Sequence, residues 1–431
     1  MTIQRKLIDD AFSLVILFLG TEAFQSLIVD PGDPSARNGG STLLRILWFV
    51  VYGVVALRLI SQHRQVMMLV RANWCLALLV LLSILSTIWS RDPGFTLRHS
   101  IALLWTTLVG IDLAIRYSIR GQLHLLYIVC GFVVLSGIVV QLLFPGLIPT
   151  ADFDSTAWHG ISGAKNGWAQ LVVLGAIAVF SRSRRSLRDF SIIACLTLVA
   201  FALVGLARSA GALVILIALL ILFKLFGALR WRPGILVRVC LASALIVLPL
   251  SYLAFQNFDK VTGLLGRDST LTGRAQIWPL ALSDIAKNPI HGYGYSAFWE
   301  PDSQPATRIR EEIKWDAPGA HNGYIDLALG LGLPGLLLFV ASLFISARRA
   351  VDYCRRSVER EAMWPLAYLS FFFLYECIES TIVVGNLIYW ILYVAVCCSV
   401  TKATAADQLA LEIDGEFFAP VQMIPLGHER S

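Results

Sequence analysis

Arg208 is the only charged residue between Phe190 and Phe223, a stretch otherwise apolar and long enough for two membrane-spanning helices. An arginine at membrane depth is costly and points to function. Its guanidinium stays charged and can grip a phosphate through two parallel hydrogen bonds; the plainer alternative is an arginine that snorkels to the interface. Arg274 opens a second segment, in which Ile277, Leu280, Ala281 and Ile285 fall on one helical face until Asn288-Pro289 and Gly292-Tyr293-Gly294 end it. An amphipathic helix on the membrane surface is expected there. Arg274 would either reinforce the anion site of its free N–H groups or be a solvated side chain. His321, where a polar stretch gives way to an apolar one, can take a proton from a hydroxyl near neutral pH, or simply hydrogen-bond to backbone. Lys165-Asn166, at another such entrance, offers a further anion contact or an interfacial anchor. Glu376 and Glu379, three apart on one expected helical face, could pair with a basic residue. Three basic candidates and a histidine on one face suit a dianionic ligand at the outer leaflet, such as a lipid diphosphate.

The elements that must hold these groups are helices. The chain has 431 residues, 57% hydrophobic and only 15% charged, against about 25% charged in soluble domains. The apolar residues fall in blocks long enough to cross about 30 Å of hydrocarbon, near 10–29, 41–60, 72–90, 97–116, 122–144, 166–180, 190–206, 209–226, 235–255, 321–346, 363–381 and 385–400. They lack the period-2 alternation of a barrel, so an all-α polytopic protein of about 12 transmembrane helices is expected. Asp112 and Glu22 fall within spans without an assignable role. The eight cysteines show no CxxC pair and no Cys/His cluster, so neither a disulfide framework nor a metal site is indicated. The net charge of +6 is scattered between spans, which argues for membrane orientation and against nucleic acid. Alternate short loops hold most of the Lys and Arg, and their opposites hold only Arg37, Arg91, Arg98, Lys165 and Arg208. By the positive-inside bias both termini are then cytoplasmic. The long loop 256–320 faces out, within one transmembrane domain over 1–400, and a cytoplasmic tail follows over 401–431.

In order along the chain stand Trp89-Ser90-Arg91-Asp92-Pro93, Gly163-Ala164-Lys165-Asn166 and Ala207-Arg208-Ser209-Ala210-Gly211. Then come Gly273-Arg274 with Trp278, Asn288-Pro289 with Gly292 and Gly294, His321-Asn322-Gly323-Tyr324, and Gly330 through Gly335. Together, over roughly residues 80–400, they resemble the O-antigen ligase and O-antigen polymerase-like membrane glycosyltransferases, including exopolysaccharide repeat-unit polymerases. The resemblance implies a GT-C-like helical architecture in the bacterial inner membrane, working at the periplasmic face without metal or other cofactor. The donor would be an oligosaccharide on undecaprenyl diphosphate, and the acceptor a second lipid-linked glycan (polymerase) or lipid A-core (ligase). Membrane lipids, a flippase and chain-length regulators are the implied partners. Arg208 and Arg274 would hold the diphosphate and His321 would act on the acceptor hydroxyl. Lys165, Asn166, Tyr293, Asn322, Tyr324 and Glu379 would bind substrate. The long loop has only two tryptophans besides Trp278, so no sugar-stacking platform is identifiable. The Lys165-Asn166 context leans toward the polymerase. A transporter would call for internal repeats with matched broken helices, and none is visible; a purely structural subunit would have no need of Arg208.

Overall fold

The computed structural model describes residues 3–25, 42–144, 146–148, 156–183, 186–229 and 274–417. Its helices in chain order are α1 (Ile3–Gly20), α2 (Thr42–Ile60), α3 (His63–Ala72), α4 (Trp74–Leu85), α5 (Pro93–Arg116), α6 (Ile119–Leu143) and α7 (Lys165–Ser181). There follow α8 (Leu187–Leu206), α9 (Ala210–Leu229), α10 (Arg274–Lys287), α11 (Gln304–Ile313), α12 (Gly323–Arg356), α13 (Trp364–Tyr375) and α14 (Ile388–Phe417). Every regular element among the described residues is helical.

Among the described residues, seven helices are long and apolar enough to cross a membrane: α2, α5, α6, α8, α9, α12 and α14. An eighth span results if α3 and the α4 segment, bent by 93° at Asn73, are taken as one. This is a multi-pass membrane protein, and among the described residues seven or eight of the expected twelve spans are long and apolar enough. Arg5, Lys6, Asp9 and Asp10 interrupt α1, while α7 with 17 residues and α13 with 12 are short for about 30 Å of hydrocarbon. The block 235–255 lies outside the described residues. α14 also runs past residue 400 to Phe417, into the stretch expected as a tail.

α14 is the central helix, packed against α1, α5, α12 and α13. Over 388–400 it is almost wholly apolar because it meets protein on every side there. Trp390 and Tyr393 are fully buried there with Tyr368 and Phe372 of α13, and their polar atoms find partners. Trp390 Nε1 donates to Thr107 Oγ1 at 3.0 Å and Tyr393 OH meets Ser342 Oγ at 2.9 Å. Hydrocarbon supplies no water to do this, so unmatched groups would cost several kcal/mol each. Asp112, without a role in sequence, joins a closed quartet: Arg58 bonds Asp9 at 2.5 Å and Asp112 at 3.3 Å, and Arg116 bonds the same two carboxylates at 3.3 and 2.8 Å. Two opposite charges on each side leave the ring neutral, which makes it tolerable between packed helices.

The segment 288–294 is clamped to α12 through a break in that helix. Gly332 adopts φ +68°, in the left-handed region, and a Cβ there would lie 2.3 Å from the Ile290 carbonyl oxygen. The break frees carbonyls of the preceding turn. Tyr293 N–H donates to Leu329 O at 2.8 Å, Gly294 N–H to Gly330 O at 3.0 Å, and Leu333 N–H to Pro289 O at 2.7 Å. The segment before α5 closes the joint from its other side: Trp89 Nε1 donates to His291 O at 2.8 Å, and Gly294 has φ +99° with Ser90 Oγ where a Cβ would stand. Three of the motifs noted in sequence are thus one interlocking corner.

The helix expected near 274–287 is present as α10, with Ile277, Ala281 and Ile285 buried as the spacing predicts. It does not offer that face to a membrane surface. Tyr293, Phe298, Ala306, Ile309 and Leu329 cover it, making a second small core with α11 and α12. Burial against these partners commits that face to the protein.

Candidate functional site

His321 has φ +49°, uncommon for a residue with a Cβ. The conformation is imposed from both sides. Asn322 caps α12, its Oδ1 accepting from the N–H groups of Tyr324 and Ile325 at 3.1 and 3.2 Å. On the other side, the Ala320 N–H donates to both oxygens of Asp326 at 3.1 Å. Asp326 also receives Trp299 Nε1 at 2.6 Å and Ser380 Oγ at 2.5 Å. One carboxylate therefore ties together the long loop, the start of α12 and the turn after α13. Arg310 braces the loop further, donating to Trp299 O at 2.6 Å and Ala317 O at 3.1 Å.

Held in this way, His321 borders a cavity of about 360 Å³ with Trp299, Asp326, Glu379 and Ser380. Its Nδ1 lies 3.2 Å from Glu379 Oε2. An ionised carboxylate only accepts, so Nδ1 carries the hydrogen, and in the neutral imidazole Nε2 keeps its lone pair. Nε2 is buried with no hydrogen-bond partner among the described residues, and the Trp315 ring stacks on the imidazole at 5.4 Å and 11°. Glu379 Oε1 accepts from Asn166 Nδ2 at 3.1 Å, and Asn166 Oδ1 from Ser209 Oγ at 3.1 Å. The result is a polar chain from His321 through Glu379 and Asn166 to the residue next to Arg208.

Among the candidate residues, His321, Glu379 and Asn166 are therefore directly joined. Arg208 sits exposed at the α8–α9 hairpin with φ +50°, one residue from the end of that chain. Lys165 is the first residue of α7, half-buried beside Asn166. Arg274 begins α10, but its side chain lies outside the described residues. Glu376 and Glu379 do not share a helical face, because α13 stops at Tyr375. Glu376 is buried and caps the following turn, accepting from Thr381 N–H at 2.9 Å and Ile382 N–H at 3.0 Å. Tyr293 faces the loop core, its OH on Asp284 O at 3.1 Å; Tyr324 OH donates to Phe373 O at 3.0 Å. Asn322 is a helix cap. Asp326 had no assignable role in sequence, Ser209 stood there only as part of the Arg208 motif, and the two loop tryptophans gave no identifiable platform, although Trp299 lines the cavity and Trp315 covers His321. The one sequence hint for Asp326 was a carboxylate in the first turn of a helix, where it suits the dipole.

The O-antigen ligase family profile matches residues 195–340, which run from α8 past the His321 corner. The exopolysaccharide production protein ExoQ of Rhizobium meliloti (strain 1021) is 22% identical over 326 residues, 72% of this chain and 71% of that protein. The chain is O-antigen ligase/polymerase-like. A solved chain from work on "Structural coordination of polymerization and crosslinking by a peptidoglycan synthase complex" covers 77% of this protein and 97% of itself, with a TM-score of 0.43 and 16% identity. That likeness is too loose to carry any argument. Within the O-antigen ligase/polymerase-like match lie Arg208, Arg274 and His321, and the capping and hinge residues that set His321 in place.

Proposed function

We propose that this protein polymerises undecaprenyl-diphosphate-linked repeat units into an exopolysaccharide or O-antigen at the periplasmic face of the inner membrane, without a metal. The observation that carries the reading is the oriented His321: Nδ1 engaged by Glu379, Nε2 uncommitted, and the ring fixed by Trp315 beside a cavity. The acceptor hydroxyl oxygen bonds to the anomeric carbon of the donor as its proton passes to Nε2. The bond from that carbon to the diphosphate oxygen breaks, and the departing diphosphate keeps the electron pair. Charge grows on the leaving group, so Arg208 and Arg274 stabilise it electrostatically. Trp299 offers an aromatic wall for the sugar, and Lys165 adds positive charge near the hairpin. The relative ExoQ, whose name concerns exopolysaccharide production, supports polymerisation; the description of the matched family supports a ligase as the second reading.

The test is purified protein with undecaprenyl-diphosphate oligosaccharide, EDTA and no nucleotide. A ladder of repeat units is expected, and both His321→Ala and Arg208→Ala should lower turnover at least about 10²-fold. Strict dependence on a divalent ion would sink the mechanism. Product appearing only when lipid A-core is supplied would make the protein a ligase.

A further inference from the structure

α8, α9 and the end of α7 enclose a second cavity of about 360 Å³, at the end of the bundle opposite His321. The placement follows from chain direction. α7 starts beside Glu379 and ends at Ser181, while α8 and α9 meet at the Arg208 hairpin, so Phe180, the start of α8 and Lys224 all lie a helix length away. The walls are apolar: Ile193 and Phe201 of α8, Leu220 and Phe223 of α9, with Phe180 at the back. Lys224 and Arg360 stand at the rim. Arg360 is held in place, its Nε donating to Phe180 O at 2.8 Å and its guanidinium 4.9 Å from the centre of the Phe223 ring. Glu359 and Glu361 flank Arg360, and both also meet Arg120, at 3.0 and 3.7 Å. Arg182 and Arg188, both exposed, add basic charge at the same end.

An apolar slot open between membrane helices, with a fixed and a mobile cation at its rim, matches one kind of molecule: an acyl chain carrying an anionic headgroup. We propose that this groove is a specific site for an anionic phospholipid, phosphatidylglycerol in type. Its phosphate sits between Lys224 and Arg360 and one acyl chain lies along Phe201 and Leu220. The leaflet is the one at the basic end of the bundle, cytoplasmic by the charge bias of the loops. Basic residues at such a surface each add a modest increment of attraction for anionic lipid, and the apolar slot adds selectivity for a chain over a free ion. The site is separate from the proposed glycan chemistry and does not depend on it.

The experiment is native mass spectrometry of the delipidated full-length protein in detergent, titrated with phosphatidylglycerol or with phosphatidylcholine of the same chains. One saturable phosphatidylglycerol adduct is expected, at least about fivefold tighter than phosphatidylcholine. Lys224→Gln should remove most of that preference. Ala194→Trp, which fills the slot and leaves both cations, should weaken both lipids. Equal binding of the two lipids, or phosphatidylglycerol binding unchanged in both variants, would overturn the proposal. Because Lys224 is exposed and Ala194 lines open space, both variants should fold, and circular dichroism of each checks that they do.

Discussion

Glu379 reaches His321 and Asn166 with its two oxygens, and a carboxylate so divided orients more than it reacts. Glu379→Gln keeps the shape but removes the charge that selects the Nδ1–H tautomer. Turnover should fall on the order of 10² with KM little changed, while Glu379→Asp recovers part of it; a KM effect alone would assign Glu379 to substrate binding. Glu300 carries a second prediction. Burial, then the hydrogen-bonded Asp92 carboxyl, raises its pKa from the ordinary 4.5 to about 7. Asp92 stays below the usual carboxylate range, chiefly through the Phe95 N–H, so the pair shares one proton held on Glu300. A raised acid stabilises the fold while protonated, so this contact is complete below pH 4.5 and is lost as pH rises through about 7. Hydrogen-exchange protection factors of amides near 92–96 and 299–303 should therefore fall between pH 5.5 and 8.5. Glu300→Gln should flatten that dependence.

Element by element, the broken α12 has the clearest consequence. Gly332→Ala would place a Cβ against the Ile290 carbonyl in a left-handed conformation. A loss of roughly 2–3 kcal/mol is expected, read as a lower thermal midpoint and faster proteolysis after Lys287. An unchanged midpoint would mean the corner does not hold the loop. α10 shows what was legible here: its buried face at Ile277, Ala281 and Ile285 follows from spacing, since neighbours on one helix turn are set by local geometry. What covers that face was not legible, because Phe298, Ile309 and Leu329 come from separate segments. α13 was expected to run to residue 381 and ends at Tyr375, where Glu376 turns back to bind Thr381 and Ile382.

For the whole molecule, the Asp9–Arg58–Asp112–Arg116 ring ties α1, α2 and α5 together. Arg58→Ala leaves two largely buried carboxylates with one arginine and should cost about 3 kcal/mol; adding Asp9→Ala should restore part of it, measured by thermal unfolding in detergent. Orientation is tested by cysteine substitution in intact cells. Asp302→Cys, in the long loop, should react with a membrane-impermeant maleimide, and Ser61→Cys, beyond α2, should react only after lysis. The reverse pattern would invert the periplasmic reading.

Hydropathy and loop charge alone are enough to make this a helical multi-pass membrane protein, because each segment's partition into lipid depends on its own composition. The order of short motifs pointed to the O-antigen ligase/polymerase-like family and singled out His321, Arg208 and Arg274. Only the tertiary structure could decide that Glu379 orients His321 from 58 residues away, or that Asn166 links Glu379 to the Arg208 hairpin across 213. It also turned several motif glycines, prolines and asparagines into hinges and caps that set the histidine's angle. Such pairings carry no local signature, since a carboxylate's partner is chosen by how distant helices pack and not by its neighbours in the chain.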